Sequence, residues 1–260
     1  MVTIDRRALL AAVAGSLLPS RSLAETGGAT PVSVIELRQY TLFRGQRDVL
    51  IDLFERHFIE AQNALGATVL GTFRDLDDPD RFVWMRGFAS MEARRAALFA
   101  FYGGPVWAAH RAAANPTMLD SGNVLLLRPR SGVWAAPPPW PTPRLLSITI
   151  HDLRTTTPAA FGAFFDAAMA PRLRQAGAEP FGQMVTEHAA NNVPALPVRE
   201  DANMFIWCAW WPDATAEARF VERWHRASGW RDHAGEDVLP ALARQPERLR
   251  LIPTARSAMR

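Results

Sequence analysis

Between Val34 and Leu42 the chain alternates. Ile35, Leu37 and Gln39 fall on one side, and Glu36, Arg38 and Tyr40 on the other, which predicts a strand with two unlike faces. After Gly45 the period changes. Leu50, Leu53, Phe54, His57, Phe58 and Ala61 recur three or four positions apart, the stripe of an amphipathic helix, and Gly66 stands where that helix should stop. Two further strands are predicted over Thr68–Asp75 and Arg81–Phe88, joined by the turn-forming Asp77-Asp78-Pro79-Asp80. Ser90 can cap a second helix over Met91–Phe101. A short segment carrying Trp107 and His110 follows, then a last strand over Asn123–Arg128.

The whole pattern then runs a second time. At an offset of 111 residues, Ile35 meets Leu146, Leu37 meets Ile148, Leu50 meets Phe161, Phe54 meets Phe165 and Gly66 meets Gly177. A longer loop around 189–201 moves the offset to 123, where Phe82-Val83-Trp84 meets Phe205-Ile206-Trp207, Asp213 takes the capping place of Ser90, and Trp107-x-x-His110 meets Trp230-x-x-His233. Trp and His are rare enough for this spacing to mark a duplication. The expected organisation is one unit over 30–130, a Pro-rich spacer over 131–144, and a divergent copy over 145–254. The order strand, helix, strand, strand, helix, strand predicts an α+β fold. Two tandem ferredoxin-like βαββαβ units, each with one sheet face uncovered, would close on each other as an intrachain pseudo-dimeric α/β barrel with a cavity between the sheets.

Three runs carry a family resemblance. They are Val34-Ile35-Glu36-Leu37-Arg38-Gln39-Tyr40-Thr41-Leu42, Phe82-Val83-Trp84-Met85-Arg86-Gly87-Phe88, and Tyr102-Gly103-Gly104-Pro105-Val106-Trp107 with His110-Arg111. Together with Asn123–Pro129 they resemble a NIPSNAP domain. The second half is similar only through the repeat. The resemblance implies the dimeric α/β-barrel fold and says little about activity. Related barrel families include cofactor-free monooxygenases and haem-dependent enzymes, an analogy of fold alone.

Candidate chemistry follows from the faces. If the apolar side of the first strand packs on the helices, Glu36, Arg38 and Tyr40 point into the barrel, joined by Phe82, Trp84 and Arg86. Such a lining suits a flat apolar ligand with an anionic group; the competing reading is that Glu36 and the arginines pair and fill the space. At the matching places the second half has Ser147, Thr149, His151 and Ala209, so a polar site should be built mainly by the first half, with His151 facing the same cavity. His57 reads as a buried helix-face histidine. Trp107, His110, Trp230 and His233 recur in both copies and read as structure, a Trp anchor with a histidine bonded to backbone. Cys208 lies in an apolar strand and reads as an inert packer, and Glu187-His188 as an exposed loop pair. No zinc or iron motif, phosphate loop or nucleophile elbow is present.

Composition narrows this further. All 29 basic residues are arginine, which removes lysine chemistry. Arg6-Arg7 before the apolar run Ala8–Leu18, with Ser22-Leu23-Ala24 behind it, predicts an export signal over 1–24 of twin-arginine type, hence a periplasmic or secreted protein with no membrane span in its mature form. Loss of that segment, with Arg6, Arg7, Arg21 and Asp5, lowers the net charge from +3 to about +1, and no basic run interleaves with aromatics, which argues against nucleic acid. Three functions fit: an exported module binding a small, mostly apolar or aromatic molecule in the barrel, an oxygenase-like enzyme on an aromatic substrate, or a structural protein with a filled barrel. No cofactor is expected; haem, held by His57, His110 or His233, is the alternative. A homo-oligomer stays open.

Overall fold

The computed structural model describes residues 31–134, 142, 144–226 and 241–260. The export signal, most of the proline run, Trp230 and His233 lie outside the described residues.

Eight strands form one closed antiparallel barrel. In chain order they are β1 (Val34–Leu42), β2 (Thr68–Asp75), β3 (Arg81–Phe88), β4 (Met118–Pro129), β5 (Leu145–Asp152), β6 (Phe181–Thr186), β7 (Met204–Trp211) and β8 (Glu247–Pro253). Around the barrel the order is β1-β3-β2-β8-β5-β7-β6-β4. Two seams join the halves. Phe73, Arg74 and Asp75 of β2 face Pro253, Ile252 and Leu251 of β8, and Leu127, Arg128 and Pro129 of β4 face Thr186, Val185 and Met184 of β6. The strands of the first half start and stop where the alternation places them, save that β4 begins at Met118, five residues earlier than expected.

The inside of the barrel is a mostly apolar core. Ile35, Leu37, Val83, Met85, Leu125 and Leu127 from the first half meet Leu146, Ile148, Ile150, Met204, Ile206, Leu249 and Leu251 from the second. This corrects the expected assignment of faces. The apolar side of β1 points inward, and its polar side faces the helices. The physical reason lies in what each face meets. Two sheet interiors closing on each other leave no polar partners, so only apolar groups bury there without loss. A helix layer can supply partners for charges. The cavity expected between the sheets is occupied by this core, and Cys208 sits in it, its thiol pushed up to about 12 by burial. The tail beyond the repeat closes one part of the core: Met259 packs into it, and Thr72 bonds to Thr254 at 2.6 Å and to Ser257 at 3.1 Å.

On the outer face of the first half lie α1 (Arg47–Leu53), a π-helical turn over Phe54–Phe58, α2 (Ile59–Asn63), α3 (Met91–Tyr102) and α4 (Pro105–Ala114). The second half carries α5 (Pro158–Phe164), a π turn over Phe165–Met169, α6 (Ala170–Gln175) and α7 (Ala214–Arg226). The π turns occupy the same place in each copy, closed by Ile59 N–H to Phe54 O and by Ala170 N–H to Phe165 O. The buried stripe therefore keeps a four-residue spacing, Leu50, Phe54, Phe58 and Gln62, mirrored by Phe161, Phe165, Met169 and Leu173. This corrects the buried placement of His57, which is half-exposed. Gly66 and Gly177 end these helices with φ of +82° and +99°, and Ser90 and Asp213 cap the following ones through the N–H groups of Ala93 and Ala216. The Trp107–His110 segment, expected as a short connection, is a helix started by Pro105.

Candidate ligand-binding site

The six first-half residues expected in the barrel cluster instead between sheet and helices. Glu36 is fully buried and accepts from three arginines: Arg38 Nη1 at 2.6 Å, Arg86 Nε at 2.8 Å and Arg94 Nε at 2.6 Å. Arg94 comes from α3 and was missed in the sequence, because it sits on a helix with nothing in its spacing to tie it to β1. Burial alone would raise the Glu36 pKa; Arg86, Arg38 and Arg94 outweigh it and hold the carboxyl well below the usual range. The arginines donate further N–H groups outside the carboxylate. Arg86 donates to Gln62 at 2.9 Å, Arg38 to the Tyr40 hydroxyl at 3.0 Å, and Arg94 to Asn192 and Asn191 of the long β6–β7 loop at 2.7 and 3.1 Å. Trp84 and Phe82 pack with Tyr40 and Phe54, Trp84 lying 4.7 Å from the Phe54 ring centre. A cavity of about 40 Å³ remains, lined by Tyr40, Gln62, Trp84, Tyr102 and Trp107 among others.

Among the described residues the matching place in the second half is open. A cleft of about 440 Å³ runs between the outer face of β5, β7 and β8 and the helices α6 and α7. Its size falls in the range of ~300–1,000 Å³ usual for small-molecule sites. Ser147, Thr149 and His151 of β5 and Trp207 of β7 line it, with Met169, Leu173, Phe220, Val221 and Trp224 from the helical side and Arg248 at β8. Smaller side chains at matching positions contribute to the space. Where the first half places Glu36, Arg38 and Phe58, the second has Ser147, Thr149 and Met169, so two long charged side chains and an aromatic ring are replaced by smaller groups. The polar cluster lies in the first half and fills it, whereas among the described residues the second half holds the cleft.

His151 is the polar group set apart there. It is 3% exposed, and burial lowers its pKa to about 4, so it is neutral at physiological pH. Its Nε2 accepts from Trp207 Nε1 at 3.2 Å. An indole N–H only donates, so the imidazole proton must sit on Nδ1. That Nδ1–H has no hydrogen-bond partner among the described residues. Ser147, by contrast, already accepts from Trp211 Nε1 at 2.8 Å. Arg248 approaches the buried Glu217 at 3.6 Å, and Arg250 holds Glu217 at 2.5 Å and Asp77 at 2.7 Å.

The remaining histidines behave differently from expectation. His110 stacks on His57 with ring centres 3.8 Å apart instead of bonding to backbone, while Trp107 packs on Phe58, Phe101 and Tyr102. Neither histidine is among the residues lining the cleft, and His151 has Nε2 engaged and Nδ1 protonated, a state that does not ligate iron. His225 of α7 does line the cleft, on its exposed side. Among the described residues no group of three or more His, Cys, Asp or Glu could hold a metal ion. Glu187 is half-buried and His188 exposed on their loop. No helix among the described residues is long and apolar enough to cross a membrane.

No curated protein matches the chain. Among solved structures, an anthrone oxidase-like protein superposes with a TM-score of 0.56 at 13% identity, covering 88% of this chain and 94% of that one. A candidate monooxygenase from Fusobacterium nucleatum gives 0.56 at 9% identity, covering 85% and 92%. Another from Lactobacillus acidophilus gives 0.53 at 11%, covering 85% and 94%. At such identities the likeness is one of fold, and it extends over both halves. In sequence, residues 35–131, which carry Glu36, Arg38, Tyr40, Trp84, Arg86 and Arg94, match the NIPSNAP family.

Proposed function

We propose that the chain is a tandem pair of ferredoxin-like units whose second half binds a small, flat, mostly apolar molecule bearing a hydrogen-bond acceptor. The observation that carries this is the His151 Nδ1–H, buried and without a hydrogen-bond partner among the described residues, in a cleft whose lining is mostly apolar and aromatic. A buried donor left unpaired costs about 1–3 kcal/mol, a penalty that a carbonyl or phenolate oxygen on a ligand would remove. Trp207, Phe220 and Trp224 offer aromatic surface beside it.

The same N–H supports a second reading, an oxygenase-like enzyme on an aromatic substrate. A fixed donor stabilises the oxyanion of an ionised phenol or enol, the electron-rich form that reacts with dioxygen. The names of two kinds of structural neighbour, monooxygenase and anthrone oxidase-like, point the same way.

Anthrone, a tricyclic aromatic ketone, is a suitable probe. Titration should quench tryptophan fluorescence saturably, and His151→Phe should weaken binding about fivefold, the worth of one hydrogen bond. Thr149→Trp, which fills the cleft, should abolish it while leaving the circular dichroism unchanged. Equal binding by the cleft-filled variant would refute the site. Oxygen uptake measured with an electrode in the same mixtures separates an enzyme from a binding module.

A further inference from the structure

A second site is written in the charge balance of the first half. Arg38, Arg86 and Arg94 are at most 2% exposed, and among the described residues their ion pairs reach one carboxylate, that of Glu36. Three guanidiniums against one carboxylate leave two positive charges in excess, away from water. Arginine cannot shed its proton to relieve this. The nearest ionisable neighbour that could offset it is Tyr40, but burial raises its pKa and it accepts from Arg38 as a neutral phenol. Gln62, Asn191 and Asn192 contribute dipoles, not charge. Buried charge of this kind is stable only when compensated.

The space for compensation is beside it. Four residues that the guanidiniums touch, Tyr40, Gln62, Trp84 and Tyr102, line the first-half cavity of about 40 Å³, and the rest of its wall is apolar or aromatic. Arg86 lies 5.0 Å from the Trp84 ring centre and 5.9 Å from that of Tyr102, and donates to Gln62; Arg38 lies 5.4 Å from the rings of both Tyr40 and Trp84. The Trp84 indole N–H, in a residue 2% exposed, has no hydrogen-bond partner among the described residues. A single water needs ~10–15 Å³ on the same measure, so the cavity admits an ion of a few atoms and no aromatic ligand. We propose that this cavity is a binding site for a small monovalent anion, of halide, nitrate or formate size, held by the Trp84 N–H and the field of Arg38 and Arg86. The site is separate from the second-half cleft and does not depend on what that cleft binds.

Bromide tests this directly. In crystals of the full chain soaked in sodium bromide, the anomalous signal should show a peak in contact with Trp84, Tyr40 and Gln62. In solution at constant ionic strength, the urea midpoint should rise with bromide and level off, as mass action requires of a ligand that binds only the folded state. Trp84→Phe keeps an aromatic wall and removes the N–H; it should raise the half-saturating bromide concentration about fivefold. Absence of a peak in the cavity overturns the proposal and leaves it filled by water. A half-saturation unchanged by Trp84→Phe places the anion elsewhere and overturns it equally. Should that variant fail to fold, the anomalous map of the natural chain still decides.

Discussion

At the scale of single residues, His151 makes its environment measurable through pH. Its pKa falls from an ordinary 6.5 to about 4 because burial disfavours the charged ring. The unfolded chain therefore binds this proton near pH 6.5, and the folded chain only near pH 4. Between those values the unfolded state holds more protons, so stability falls as pH falls, and the loss stops growing below about 4. A shift of this size corresponds to about 3 kcal/mol. His57 is lowered as well, by burial, His110 and Arg56, so the slope belongs to both histidines in the natural chain. Urea midpoints between pH 4 and 8 should show most of that slope vanishing in His151→Phe. A slope that survives would mean that the ring is hydrated in the folded protein. The residues themselves were legible: Glu36, Arg38, Tyr40, Trp84, Arg86 and His151 do all lie in sheet–helix clusters or at the cleft. Their direction was not. Alternation reports that two faces differ; it does not say which face meets helices when both are buried.

At the scale of elements, strands and caps followed from local chemistry, whereas the π turns did not. A spacing of four is compatible with a 3.6-residue helix over a short stretch, so Leu50, Phe54 and Phe58 gave no sign of the wider turn. The turn consists of one extra residue accommodated without losing the buried stripe. Removing His57 should then convert it to a regular helix, because Phe58 and Gln62 would follow Phe54 at three and seven positions and stay on the same face. The deletion should cost no more than about 1.5 kcal/mol, an ordinary point-change effect, as read from urea melts. Complete unfolding would show that the wide turn itself is required. The helix α4 was missed for a related reason: Ala-rich residues around Trp107 and His110 bury few side chains, so their hydrophobic period is faint.

At the scale of the molecule, the two halves exchange parts. The β6–β7 loop of the second half brings Asn191 and Asn192 to Arg94 and packs Val193 against Phe88 and Leu98 of the first. The β2–β3 turn of the first half returns Asp77 to Arg250 beside Glu217 of the second. Arg94 and Glu217 occupy matching places in the repeat, so each half closes the other's ion cluster with the sign of charge reversed. Sequence comparison within the chain could show that the halves are alike; it could not show this reciprocity, which depends on the seams β2–β8 and β4–β6. Cooperation across those seams has a consequence for the first half taken alone. A fragment of residues 31–134 would expose Ile35, Leu37, Val83, Met85, Leu125 and Leu127 and leave β2 and β4 as open edges. An apolar sheet face with two free edges seeks a second copy. Sedimentation should therefore find the fragment as a dimer or larger, with its first-half aromatic cluster retained in near-UV circular dichroism. A monomer that melts cooperatively would show that the inner face is stable in water, and the closed barrel would then be a convenience of linkage and not a condition of folding.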